Sequence, residues 1–537
     1  MRGSLVALLL VCLGARALAA PPAAPAQADH VHDLLEEWRV TEAAAEADKL
    51  AASDPEDPAT LLAVGDVRFQ QGDYKGALER FDRALVGLPR GAGEEWRALR
   101  ELIASTAAAT RDFKEATSPD GHFIIRYGGR DEILLPYAFA ALAAARREIA
   151  ERDFGGMAAF DAPVRVEIYS EIADLARVST LTLKEIETSG TIALCKWNRL
   201  MIVSPRALVR GYPWLDTLAH EFTHFVVSRA SHNTVPIWLH EGLAKFEERR
   251  WREAPGGTLS PTMEHLLATA LGRSGRLITF EEMHPSMAKL PSQADTALAF
   301  AEVASVIEYL QGRHGWEGIR QVILYLKSGS SDARAIAAVT NRSFSEFQSD
   351  WKSWLRGRKL RTHPGLVPAS LKFARRGKGQ AAERDREKDE DDTQEITEER
   401  ARRFARLGGM LETHGRLAPA AFEYEKAQGL TGPGNLPVAN RLARTYLALG
   451  DAERAIAAAT PASELYPDSA GLSVTLGEAW RRKGQAENAI RYLETALRVN
   501  PFDPAPHCAL AQLYDAKDER RAREERACGT LHGAPGK

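Results

Sequence analysis

The clearest periodicity in the chain begins at Trp214. Apolar residues Leu215, Leu218, Ala219, Phe222 and Val226 recur at i, i+3, i+4, i+7 and i+11, which predicts an amphipathic helix over Trp214–Arg229. Pro213 suits its first turn, and Asp216 suits its positive N-terminal end. His220 and His224 lie nearly opposite the apolar stripe. After the polar break Ser231–Thr234, a second helix is predicted from Pro236 to about Trp251. Leu239, Leu243 and Phe246 form its apolar side, and Glu241 points away from it. Upstream, His122–Tyr127 and Val164–Tyr169 read as strands, Pro136–Phe154 as a long helix and Gly190–Ser204 as a hairpin. Downstream, Ala297–Gln311, Glu317–Leu326 and Phe344–Trp354 keep helical spacing.

Toward the C-terminus the pattern repeats every 34 residues, as Gly450 and Gly484, Ala455 and Ala489, and Pro467 and Pro501 show. Gly415 and Ala420 begin a less regular preceding copy. Near the N-terminus Gly65, Gly72, Tyr74, Ala77, Phe81, Ala84 and Pro89 follow the same scheme, and Trp38–Leu50 reads as a partial copy. The arrangement resembles the tetratricopeptide repeat, in which small residues let paired helices approach and proline ends the unit. Two N-terminal units alone bury little surface, so docking on the central segment or on a partner is expected. A plain helical spacer and a concave surface for a protein partner are both open readings. The charged stretch Arg375–Glu399, with Asp389, Glu390, Asp391 and Asp392, reads as a flexible, solvated linker.

A chain of 537 residues argues for two to four domains, and 45% hydrophobic with 27% charged residues suits a folded core. A net charge of −3 provides no basic field and argues against nucleic acid as a partner. Arg2, the apolar run Leu5–Leu13 and the small residues Ala17 and Ala19 predict a signal peptide over residues 1–20. That run is too short for a transmembrane span, and no later stretch is long enough. With an Ala- and Arg-rich composition, this predicts a bacterial protein exported to the periplasm or beyond; an uncleaved anchor is the alternative. Lipid attachment at Cys12 is disfavoured by Val11 before it. In an oxidising compartment Cys508 and Cys528 are candidates for a bridge between helices, while Cys195 reads as a packed thiol.

The chemistry centres on His220-Glu221-Phe222-Thr223-His224. Histidines four apart stand one helical turn apart and can reach a single ion, with Glu221 about a third of a turn away and free to hold water. A short connection lets the two predicted helices pair antiparallel, bringing Glu241 to the same ion. Two imidazole nitrogens and one carboxylate oxygen leave a fourth tetrahedral position open, as hydrolytic zinc requires.

This motif, followed by Pro236-x-Trp238-Leu239-x-Glu241-Gly242-Leu243-Ala244, resembles the gluzincin branch of zinc metallopeptidases, and within it the peptidase MA-like domains of secreted bacterial proteins. Thermolysin is a distant relative by the same logic. The resemblance spans most of residues 118–360. It implies that His220, His224 and Glu241 hold Zn2+ and that Glu221 is the general base of peptide-bond hydrolysis. It also implies that the hairpin Thr191–Val203 offers an edge for an extended peptide substrate. Gluzincins often place an acidic residue four after the ligand glutamate; here that position is Lys245, so Asp216, Glu247 and Glu248 are the candidates to orient a ligand histidine. Tyr309, His240 and Tyr212 are the nameable oxyanion donors, with packing roles as the alternative for each.

The expected fold class is an α+β zincin-like metallopeptidase domain with all-α tetratricopeptide-like repeats on both sides. The expected boundaries are repeats over 28–115, the peptidase-like domain over 118–362, the linker over 363–400 and further repeats over 401–530. Two other readings accompany the exported peptidase. One is a catalytically silent metallopeptidase fold acting as a scaffold, and the other is a pure repeat protein with a coincidental motif.

Overall fold

The computed structural model describes residues 26–86, 93–253, 259–274, 276–363, 366–367, 371–374 and 392–533. The expected signal peptide, Cys12 and Asp389–Asp391 lie outside the described residues. At the centre is a five-stranded sheet with strand order β1-β2-β3-β5-β4. The strands are β1 (Lys114–Thr117), β2 (Phe123–Tyr127), β3 (Val164–Tyr169), β4 (Ala193–Lys196) and β5 (Arg199–Val203). β2, β3 and β5 run parallel, and the antiparallel strands β1 and β4 form the edges. Register aligns Ile125, Val166 and Leu200 across neighbouring strands. Phe123 on that face meets Phe222 with ring centroids 5.7 Å apart, seating helix α9 (Trp214–Ser231) on the sheet. The predicted hairpin is β4–β5, turned by Trp197 and Asn198 at φ of 51° and 56°. Left-handed φ at both positions matches the twist of a two-residue hairpin turn.

The opposite face of the sheet carries polar residues yet is buried. Glu167 on β3 accepts hydrogen bonds from Tyr74 at 2.5 Å and Tyr169 at 2.6 Å, and pairs with Arg199 and Arg126. The Arg199 guanidinium sits over the rings of Phe69, Tyr74 and Trp197, at 4.8, 5.3 and 5.5 Å. Phe69 and Tyr74 belong to helices α3 (Pro58–Gln71) and α4 (Tyr74–Val86), the pair with the repeat signature. The N-terminal repeat is therefore docked on the central sheet. The preceding segment is a complete helical pair, α1 (Ala26–Glu36) and α2 (Val40–Ser53), where a partial copy was expected. Trp38 sits in the turn between them and packs edge-on against Phe225 of α9 at 5.6 Å, an anchor that periodicity does not reveal.

Helices α5 (Glu94–Ala109), α6 (Leu135–Ala145), α7 (Ile172–Arg177) and α8 (Leu183–Ser189) precede α9 in the chain. Beyond α9, helices α10 (Ile237–Glu247), α11 (Pro261–Thr269), α12 (Gln293–Lys327), α13 (Asp332–Thr340) and α14 (Phe344–Gly357) form the second lobe. The two helical runs predicted inside α12 meet at a break at Gly315, with φ 64° and ψ −175°. The helix predicted to reach Trp251 ends at Glu247 and continues as turns.

Eight helices from Glu399 to Gly533 make the C-terminal array. Gly408 lies against Tyr424 and Gly477 against Leu493, so the small positions mark close helix contacts. Cys508 and Cys528 are joined by a disulfide within the last helix pair, and Cys195 is free. The array touches the central domain where Tyr137 donates to Glu524 at 2.8 Å and Arg249 donates to Asp468 at 3.1 Å. Of the expected solvated linker, residues 375–391 lie outside the described residues, and the chain on either side of them is held to the central domain. Val209 N–H donates to Lys372 O at 2.9 Å, Ala374 N–H donates to Ala207 O at 2.7 Å, and Arg210 pairs with Asp392 and Glu395.

Candidate metal centre

Helix α9 departs from the expected amphipathic pattern, because every residue from Leu218 to Ser228 is buried. One side rests on the sheet, and the polar side faces α10 and α12. A surface helix needs only one apolar stripe, whereas this one is enclosed. Asp216 in its first turn is gripped by Arg252 at 2.6 Å and by the Trp251 indole N–H at 2.9 Å.

The antiparallel approach of α10 brings Glu241 to both histidines. Its Oε2 lies 3.5 Å from His220 Nε2 and 3.3 Å from His224 Nε2. His220, Glu221 and His224 also bring one ligand atom each to within 4.8 Å of one another. Tetrahedral ligands about 2.0–2.1 Å from one ion stand roughly 3.3–3.4 Å apart, so Glu241 Oε2 lies at about the spacing of a fellow zinc ligand from each histidine nitrogen. Glu221 Oε2 is buried without a hydrogen-bond partner, a polar atom left over for a guest in this pocket. Burial pushes the Glu221 carboxyl up to about 8, with His224 pulling against it and Glu241 adding to it. Burial also works against a charge on Glu241, yet His224 and His220 hold that carboxyl well below the usual carboxylate range.

Around this core, Phe300 of α12 meets the His220 ring edge-on at 5.9 Å, and Lys245 lies over Phe300 at the same 5.9 Å spacing. Partly buried Cys195 on edge strand β4 feels the Glu221 charge, and burial with that charge holds its thiol well above the ordinary range. Of the three candidates to orient a histidine, Glu248 alone approaches one, with Oε2 3.8 Å from His220 Nδ1 while Lys245 holds it at 2.8 Å. Asp216 is committed to Arg252, and Glu247 is buried beside Asp153, where burial and that neighbour push its carboxyl far up.

Of the three oxyanion candidates, two have contacts of their own and the third lies beside a ligand histidine. Tyr309 packs against Phe347 and Trp354, and the Tyr212 hydroxyl donates to Val203 O. His240 lies edge to edge with His224, their rings tilted by 22°, with ring centroids 4.6 Å apart and Nδ1 atoms 2.5 Å apart. Burial, with His224 beside it, holds the His240 ring down at about 3. The sequence carried one signal for this neighbour, an imidazole directly before Glu241 on the same helix.

Comparison with known proteins matches residues 144–357 to the Peptidase MA superfamily. Residues 29–94 and 446–513 match tetratricopeptide repeats. No curated protein sequence matches the chain. Among solved structures, the chain is similar to TTC0263, a thermophilic TPR protein of Thermus thermophilus, at 27% identity over 25% of this chain and 76% of that one, with a TM-score of 0.22. It also aligns with the APC/C hetero-tetramer Cut9-Hcn1 at 12% identity over 94% of this chain and 79% of that one, with a TM-score of 0.26. Scores this low leave the classification to the family matches. Residues 144–357 thus form a Peptidase MA superfamily domain, set between tetratricopeptide repeats on both sides.

Proposed function

We propose that this protein is a zinc-dependent peptidase in which His220, His224 and Glu241 hold the metal and Glu221 is the general base. The observation that carries the reading is the spacing of Glu241 Oε2 from the two Nε2 atoms, 3.5 and 3.3 Å, which suits one tetrahedral ion with a position left open. Bound there, zinc supplies Lewis acidity, which acidifies water and polarises a scissile carbonyl. Glu221 takes a proton from the attacking water and hands it to the leaving amine. Edge strand β4 pairs only with β5 among the described residues, and its outer side offers backbone groups to an extended peptide.

We further propose export to an oxidising compartment. The Cys508–Cys528 disulfide supports it, as does the apolar run Leu5–Leu13. No described helix is long and apolar enough to cross a membrane. The repeats then serve protein recognition.

The test compares wild type with Glu221→Gln on a mixed peptide library, alongside metal content. The expected result is zinc bound at one equivalent by both proteins and hydrolysis lost by at least about a hundredfold in the variant. Zinc binding without hydrolysis in wild type would instead select a silent scaffold, and full activity in Glu221→Gln would remove the base assignment.

A further inference from the structure

A hydrogen-bond relay leaves His224 on the side away from Glu241. His224 Nδ1 is 2.5 Å from His240 Nδ1, and His240 Nε2 is 3.1 Å from Ser228 Oγ. Ser228 Oγ donates to Asn233 Oδ1 at 3.5 Å, and Asn233 Nδ2 donates to the Glu36 carbonyl at 3.2 Å. Glu36 closes helix α1 of the N-terminal repeat segment.

The direction of the relay follows from its far end. A backbone carbonyl only accepts, so it faces the amide nitrogen of Asn233 and turns the amide oxygen to Ser228. A hydroxyl facing that oxygen spends its one proton there, so the Ser228 oxygen accepts from His240 Nε2–H. A neutral His240 then presents a lone pair at Nδ1, and His224 donates its Nδ1–H to it. The lone pair of His224 is left on Nε2, the nitrogen 3.3 Å from Glu241. In the reverse direction His224 would carry its proton on Nε2 and could not bind a metal through that atom.

We propose that His240 is a positioning residue for His224, and that the relay His224–His240–Ser228–Asn233–Glu36 fixes the tautomer and ring orientation of that ligand and ties it to the N-terminal repeat. Asn233 is well suited to its place, because it sits at φ 59°, a left-handed conformation that asparagine tolerates. The proposal rests on the zinc reading above.

The experiment measures zinc affinity by chelator competition on the full chain. His240→Phe keeps a ring without an acceptor and is expected to bind zinc about 10–100-fold more weakly, on the scale typical for lost outer partners of ligand histidines. His240→Gln, whose side-chain oxygen can accept from His224 Nδ1–H, is expected to recover most of that loss. Ser228→Ala, a smaller change, is expected to weaken binding several-fold. In the cobalt-substituted protein, the His224 Nδ1–H gives a paramagnetically shifted proton signal in H2O that vanishes in D2O. That signal is expected to broaden away in His240→Phe, whereas a merely structural role would leave it in place. Wild-type affinity in both His240→Phe and Ser228→Ala overturns the relay. Failure of wild type to bind zinc at all overturns the metal reading itself.

Discussion

At the scale of single residues, Glu302 shows how burial writes pH dependence into the protein. It lies fully buried on α12, accepts the Ile278 N–H at 2.9 Å, and leaves Oε2 without a partner. Burial is the main cause that pushes its carboxyl from 4.5 up to about 8. Because the folded-state value is raised, the stabilising contribution is fully present below about 4.5 and is lost as pH rises through about 8. We expect unfolding free energy to fall with a slope approaching about 1.4 kcal/mol per pH unit across that window. Glu302→Gln should flatten the slope, as read by urea denaturation at a series of pH values; an unchanged slope would contradict the assignment. Sequence did not single out Glu302, since a glutamate on a helical run is ordinarily solvated. His240 was legible as a histidine beside Glu241 and a nameable oxyanion donor, not as a neighbour of His224. Which way its ring turned, and that it met His224 and Ser228, depended on the angle between two helices.

At the scale of elements, the antiparallel pair α9 and α10 was readable from its spacing, its caps and the short polar connection. The depth of its burial was not. α10 also lies against α12, and Gly242 marks the contact: a Cβ there would stand 2.8 Å from Ile307 Cγ1 and 3.0 Å from the Val303 carbonyl. A backbone oxygen cannot rotate away, so Gly242→Ala should shift α10 and with it Glu241, the adjacent residue. We expect a loss of about 1–3 kcal/mol in stability together with weaker zinc binding. Gly312, on α12 with nothing within 4 Å of an added Cβ, provides the contrast. There alanine should be neutral or stabilise by up to about 1 kcal/mol, from its higher helix propensity. Thermal unfolding of the two variants distinguishes a local packing effect from a general intolerance of substitution.

At the scale of the whole molecule, both repeat segments are docked on the central domain, through Tyr74 and Arg199 on one side and through Tyr137 and Glu524 on the other. Glu524 also pairs with His507 at 2.5 Å, and both side chains are fully buried. The Cys508–Cys528 bridge closes a separation of 20 residues around this contact. A loop of that length confers about 3 kcal/mol in the chain-entropy account. We expect Cys508→Ser to lower the stability of the last helix pair by about that amount and to speed hydrogen exchange there and around Tyr137. Unchanged exchange at both places would show that packing alone holds the terminal helices.

The sequence by itself determined the local elements, the repeat period and the residue types gathered in one motif, because these follow from spacing along a helix and from side-chain chemistry. Its reading of a solvated linker missed the pairing of Asp392 and Glu395 with Arg210 of the central domain, because charge composition does not reveal which charges find partners. Only the tertiary structure decided that the polar face of the sheet would be roofed by the N-terminal repeat. It alone enclosed α9 on every side and set His240 behind His224. Such choices depend on how whole elements pack, and packing joins residues whose separation along the chain carries no periodic signal.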